Sequence, residues 1–251
     1  MIVYERQHDF IMITQHEHAH LSGDLAAALD NRFAAQDDRR NDFLFAAREH
    51  DRGWIDLDSA PLWNDRDHCP YSFLDFPLQP RFTFYTKGID EVQEQNKFAA
   101  LLCSLLYTTL FERLHSNECL KYLKSEYDRQ GYLADKLAIE REDSQLKHYL
   151  NLLLFCDELS LFLCMEEPGS PVSQYKFFAG GLGSPMDHKD KIHVNWKNSE
   201  TLVLSLFPFQ HDIIAKFPYK QVPKSEISAL GITEAYLQSE WKKRDIRIQS
   251  E

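Results

Sequence analysis

The stretch with the clearest capacity for chemistry is Glu49-His50-Asp51-Arg52-Gly53-Trp54, which places an imidazole beside a carboxylate. Both groups bind divalent metals. Phe43 and Ala47 precede His50 by seven and three residues, so the spacing predicts a helix that carries the histidine on its apolar side. Gly53 is placed to end this helix. The pair indicates a metal site only if other helices place similar ligands on their apolar sides.

A second helix carries such a ligand at its first turn. His18 precedes Leu21 and Leu25 by three and seven residues, which places its imidazole on the predicted apolar stripe. His16 and His20 lie on other faces, because residues two apart on a helix do not share a side. The alternative for His18 is a hydrogen-bonded core or capping histidine.

A third helix carries Asp157 in the middle of an apolar pattern. This residue follows Leu153 by four positions and precedes Leu161 by four, so it shares their buried stripe. A buried carboxylate must be paired with a charge, hydrogen-bonded or bound to a cation, because an isolated one is too costly to bury.

Three predicted helices thus each bury a side chain able to bind metal. His18, His50, Asp51 and Asp157 together would suit one divalent transition metal (Mn, Fe, Ni, Co or Zn), with positions left for water. A His-Asp hydrogen-bond network that stabilises the helices is the alternative.

The same residues resemble the HD-domain superfamily, whose helical members bind metal through a histidine on an early helix, a His-Asp pair and a later aspartate. The resemblance covers residues 15 to 165 and matches His18, His50, Asp51 and Asp157 in that order. The His-Asp-Arg-Gly-Trp and Gln-His-Glu-His-Ala-His-Leu-Ser-Gly sequences are also similar to the DUF3891 family of uncharacterised bacterial proteins, over most of the chain.

The chain departs from the HD pattern on its central helix. Many HD hydrolases place further histidines between the pair and the last aspartate, whereas Leu105 and Leu106 stand where an inward ligand would be expected. This difference favours one metal ion over two.

The HD resemblance implies hydrolysis of a nucleotide or small phosphate ester by metal-activated water. Glu49 and Arg52, beside the pair, could orient water or phosphate, and Asp58 could act as an acid or base, with Asp56 as an alternative. A solvated or structural role is the alternative for each of them. Two other functions stay open: a non-catalytic metal- or ligand-binding regulatory protein with a degenerate site, and an iron-dependent oxygenase.

The elements that would position these residues predict an α+β fold in one domain of 251 residues. It combines a helical core at 14–166, a small antiparallel sheet from 1–13 and 172–220, and a surface helix at 232–245. The predicted helices are 16–33, 43–50, 90–117 and 143–166, with one or two exposed helices in 118–142, and the predicted strands are 2–4, 10–13, 172–178, 193–196 and 201–209. Residues 54–88 are interpreted as an irregular flap over the pocket, with simple surface wrapping as the alternative.

Composition limits the classes of function. The net charge of -11 argues against binding to nucleic acid through phosphate contacts. No signal segment or membrane span is apparent, which predicts a cytoplasmic protein, and the five cysteines without metal spacing predict reduced, packed thiols. The oligomeric state stays open.

Overall fold

Helices pack against a six-stranded sheet in the computed structural model, which describes residues 1–33, 37–140, 143–175, 177–178 and 180–251. The α+β class is confirmed. The helices are α1 (Gln15–Ala28), α2 (Arg40–Glu49), α3 (Ile55–Ser59), α4 (Leu78–Gln95), α5 (Lys97–Phe111), α6 (Asn117–Leu137), α7 (Ser144–Cys164), α8 (Lys224–Leu230) and α9 (Ile232–Gln238). The strands are β1 (Ile2–Glu5), β2 (Asp9–Ile13), β3 (Trp63–Asn64), β4 (Cys69–Pro70), β5 (Leu182–Gly183), β6 (Lys191–Ile192), β7 (Val194–Asn198), β8 (Thr201–Leu204), β9 (Ile213–Pro223) and β10 (Trp241–Ser250).

The main sheet has the strand order β1-β2-β9-β10-β8-β7. The N-terminal hairpin joins it through antiparallel pairing of β2 with β9. The sheet is mixed, and not antiparallel throughout as predicted, because β10 pairs in parallel with β8.

The prediction of a surface helix over 232–245 is wrong for the second half of this range. Helix α9 ends at Gln238, and the chain continues into β10 in the interior of the sheet. The charged residues at the start of β10 suggested a solvated helix, but Ile246 and Ile248 are fully buried and alternate with Arg247, which is the period of a strand.

The helix predicted over 90–117 is two helices, α4 and α5, that meet at Asn96. This residue has extended backbone angles (φ −152°, ψ 111°), and its side chain accepts a hydrogen bond of 2.9 Å from the Ala99 N–H. Asparagine is a favoured N-cap residue because its side-chain oxygen satisfies a free N–H of the first turn. The cap therefore starts a new helix inside what appears in the sequence as one apolar pattern.

The predicted flap at 54–88 is largely ordered secondary structure. It contains α3, the β3–β4 hairpin and the first half of α4. Helix α4 lies against the tight turn after the His-Asp pair so closely that a Cβ on Gly88 would be 2.4 Å from the Gly53 backbone nitrogen. Two glycines thus permit this contact and hold the turn in place.

Two other sequence predictions differ from the structure. Residues Val172–Gln174 form a short 3-10 turn in place of the predicted strand 172–178, of which Lys176 lies outside the described residues. Helix α1 ends at Ala28, short of the predicted residue 33. Residues 141–142, within the predicted exposed helices, also lie outside the described part.

Among the described residues, no helix is long and apolar enough to cross a membrane.

Candidate metal centre

Helix α1 brings His18 to the centre of the helical layer. Thr14 caps this helix by accepting a hydrogen bond of 3.1 Å from the Glu17 N–H, so His18 lies in the first turn. The residue is fully buried, and α1 packs against both α2 and α7. The buried position predicted from its spacing to the leucines is therefore present.

The end of α2 supplies His50 and Asp51, both buried. The Nδ1 atom of His50 lies 2.9 Å from the carbonyl oxygen of Ala47. Because a carbonyl oxygen only accepts hydrogen bonds, Nδ1 carries a hydrogen, and the other ring nitrogen is directed away from α2.

Helix α7 supplies Asp157 and, one turn later, Ser160. The Ser160 hydroxyl donates to the Asp157 carbonyl oxygen (2.9 Å) and lies 2.8 Å from Nδ1 of His18. With its hydrogen used in this way, the hydroxyl accepts from His18 Nδ1–H. Both histidines therefore use Nδ1 as a donor and leave Nε2 for another partner.

The three side chains converge on one point. The Nε2 atoms of His18 and His50 are 3.3 Å apart, and Asp157 Oδ1 lies 3.0 Å from the first and 3.1 Å from the second. Asp51 Oδ2 is next to them, 3.5 Å from His18 Nε2 and 3.9 Å from His50 Nε2. All four predicted ligands thus lie in one cluster.

The donor set could hold a metal ion. When both Nε2 atoms are deprotonated, they and the two carboxylates present only lone pairs to one another, so a cation or a shared proton is needed between them. Metal-bound ligand atoms with bonds of about 2.1 Å lie roughly 3.4 Å apart, which is close to the separations above. The buried group His18, His50 and Asp157 could therefore hold one ion with little rearrangement.

Electrostatics favour positive charge at this point. Burial lowers the pKa of His50, but the charge of Asp51 and the hydrogen bond to Asp157 outweigh it and raise the pKa to about 9. For Asp157, burial raises the pKa, but hydrogen bonds from His18 and His50 hold it well below its usual value. The carboxylate is therefore ionised and attracts either a proton on His50 or a metal ion.

The cluster is nearly sealed. The side chains of His18 and His50 are 0% and 1% exposed, whereas those of Asp51 and Asp157 are each 7% exposed. The remaining contact with solvent is therefore on the carboxylate side.

Glu49 and Arg52, predicted to act on water or phosphate, lie in an ion-pair chain next to the cluster. Arg52 donates to Glu49 (2.9 Å) and to Glu91 of α4 (2.7 Å), and Glu91 also pairs with Lys87. Glu49 faces His16 and His20 of α1, with ligand atoms within 4.8 Å of one another.

Asp58, the predicted acid or base, makes its contacts elsewhere. It pairs with the Met1 amino group at 2.5 Å and accepts a hydrogen bond of 2.6 Å from the Gln15 N–H. Burial raises the pKa of this carboxyl group. Asp58 therefore ties the chain start to the first turn of α1. Asp56, its alternative, pairs with Lys87 at the surface.

Sequence reasoning missed two residues that orient the ligands. Tyr107 of α5 lies 2.6 Å from Asp51 Oδ1 and 3.0 Å from the His50 carbonyl oxygen, and Ser160 fixes the His18 ring. Tyr107 directly follows Leu105 and Leu106, where an inward ligand was sought, so a polar residue one position later was the available signal.

These features define an α+β protein with a buried His/Asp group that could hold a metal ion. A family model described as "Protein of unknown function (DUF3891)" matches residues 1–224, and the chain belongs to this family. The matched region includes all four predicted ligands and ends at the start of α8. No curated protein and no solved structure matches the chain.

Proposed function

We propose that the protein binds one divalent transition metal through His18, His50, Asp51 and Asp157 and hydrolyses a nucleotide or small phosphate ester. One observation carries the proposal: two Nε2 atoms and a carboxylate oxygen lie within 3.3 Å of one another while both Nδ1 atoms are held by other partners. The order of the four residues along the chain, which resembles that of HD-domain hydrolases, supports it.

The surrounding residues would prepare the ligands. Ser160 and the Ala47 carbonyl hold each imidazole with Nε2 facing inward, and Tyr107 orients Asp51. A bound divalent ion would lower the pKa of water to near neutrality and polarise a phosphoryl oxygen. The partly exposed carboxylate side is where a substrate would approach.

Arg52, two residues after His50, is a candidate for binding a substrate phosphate. Its side chain is 30% exposed, and its guanidinium is shared between Glu49 and Glu91. A phosphate could replace one of these carboxylates, since guanidinium binds both anions through similar paired hydrogen bonds.

A second candidate function is metal binding without catalysis. It is favoured by the burial of the cluster and by the existing ion pairs of Glu49, Arg52 and Asp58. In this case, the ion would stabilise the packing of the helices, or its binding would make the protein a sensor of metal concentration.

The test begins with the metal content of purified protein. The metal content measured by mass spectrometry should fall by about one ion per chain in His50→Gln and Asp157→Asn and stay at the wild-type level in the controls His115→Gln and Asp128→Asn. The control residues are exposed.

A hydrolysis screen of nucleotides and phosphomonoesters with Mn²⁺, Mg²⁺, Ni²⁺ or Co²⁺ then tests the reaction. Turnover that disappears in Asp157→Asn but not in Asp128→Asn supports the hydrolase. Bound metal without turnover supports the binding protein, and bound iron that consumes oxygen supports the oxygenase, because two histidines and one carboxylate also suit ferrous iron.

A further inference from the structure

A second group of metal-binding side chains lies outside the buried cluster. His16 and His20 of α1 and Glu49 of α2 each offer one ligand atom, and these atoms lie within 4.8 Å of one another. The three residues are partly exposed, in contrast to the buried group. The side chains of His20 and Glu49 are 37% and 16% exposed.

Helical spacing explains why α1 carries residues of both metal-binding groups. His16 and His20 are four residues apart and share one face, with their ring centroids 4.2 Å apart. His18 is rotated by about 200° from His16, because successive residues turn by about 100°. At the end of α2, the adjacent residues Glu49 and His50 differ by about 100° and therefore lie on different sides.

One polar atom of His16 has no assigned role. His16 Nδ1 is buried but has no hydrogen-bond partner among the described residues. A buried polar atom without a partner is costly and calls for an explanation such as a bound ion. Glu49 uses Oε2 to accept from Arg52, so its other oxygen remains available for an ion.

We propose that His16, His20 and Glu49 form a second, solvent-accessible site for a divalent ion of the zinc class. Two imidazoles and one carboxylate, with an open position for water, are a ligand set suited to zinc. Closing the site requires the ligand atoms to approach to about 3.4 Å, a shift that partly exposed side chains allow. This site does not require the buried ion, but its ligand Glu49 also pairs with Arg52, the candidate for binding a substrate phosphate.

Binding stoichiometry separates the two sites. Chelator-treated protein is titrated with Co²⁺, and bound ions are counted after dialysis while the visible absorption of Co²⁺ is recorded. We expect two ions per wild-type chain, one in the double variant His16→Ala/His20→Ala, one in Asp157→Asn, and two in the exposed-residue control His115→Ala.

Glu49→Gln provides a second variant that keeps the shape of the side chain. It should weaken the outer site by about 10- to 100-fold or more, because loss of a residue that only orients a ligand already costs this much, while circular dichroism stays unchanged. Arg52→Gln should act in the opposite direction and tighten the outer site by about threefold or more, because it removes a positive charge from Glu49.

The proposal is overturned if the His16→Ala/His20→Ala variant binds Co²⁺ with the stoichiometry and affinity of wild type. It is also overturned if wild type binds a single ion that only Asp157→Asn removes, a result that leaves the buried site intact. If the single ion is instead lost only in His16→Ala/His20→Ala, the outer site stands and the buried-site proposal fails.

Discussion

Tyr107 and Asp51 join two helical segments by a hydrogen bond of 2.6 Å, in which the phenol on α5 donates to the carboxylate at the end of α2. The contact is buried and fixes one oxygen of Asp51, so the other, Oδ2, remains beside His18 and His50. A residue that binds no ion itself thus determines where a ligand points.

Tyr107→Phe should therefore weaken metal binding without unfolding the protein. Loss of a hydrogen bond that orients a ligand costs about 10- to 100-fold in affinity. Competition between the protein and a coloured chelator measures this change. Tyr127→Phe, at an exposed tyrosine on α6, is the matched control, and equal affinities in the two variants would show that Tyr107 does not orient Asp51.

The stability of the metal-free protein should depend on His50. Its pKa is raised from 6.5 to about 9, so the protonated form stabilises the fold fully below pH 6.5, and this contribution disappears as the pH rises through 9. The loss is on the order of 3 kcal/mol. Urea unfolding between pH 6 and 10 measures it, and His50→Gln should flatten the profile over this range.

Gly88→Ala should disturb the turn after the His-Asp pair. The added methyl group would be 2.4 Å from the Gly53 backbone nitrogen and 2.7 Å from its Cα, and backbone atoms cannot rotate away as a side chain can. Overpacking of this kind costs about 1–3 kcal/mol, and it should also weaken metal binding. Thermal unfolding provides the measurement. Gly180→Ala, where a methyl group meets nothing within 4 Å, should leave the melting temperature nearly unchanged.

Asn96→Ala should destabilise the junction between α4 and α5. The side chain caps α5 through the Ala99 N–H and donates to Asp42 of α2 at 2.6 Å. Loss of an N-cap costs about 1 kcal/mol, and the second hydrogen bond adds to this. Urea unfolding should show the decrease, whereas Asn96→Ser, which keeps a capping oxygen and places no carboxylate against Asp42, should recover part of it.

The sequence predicted the cluster better than the fold around it. His18 and Asp157 could be placed because each lies on a strongly apolar stripe with helical spacing, and a helix turns by a fixed angle per residue. Tyr107 and Ser160 could not, because their roles depend on how α5 and α7 pack against other helices, which local spacing does not determine.

The position of β10 in the sheet could not be predicted from local sequence either. Strand β10 begins with Trp241 and three basic residues, a composition that local preference does not assign to the interior of a sheet. Its place between β8 and β9 is decided by partners far away in the chain. The helix start at Asn96 could have been predicted, because a capping asparagine inside an apolar pattern is a local signal for a helix start.

His50 lies 32 residues from His18 and 107 from Asp157 along the chain. A shared ion would therefore act as a reversible cross-link between distant segments of the chain. A fragment that lacks one of these segments could not form this cross-link. Because an ion that binds only the folded state stabilises it by mass action, about 4 kcal/mol at a thousandfold excess over Kd, metal affinity would measure how completely α1, α2 and α7 have assembled.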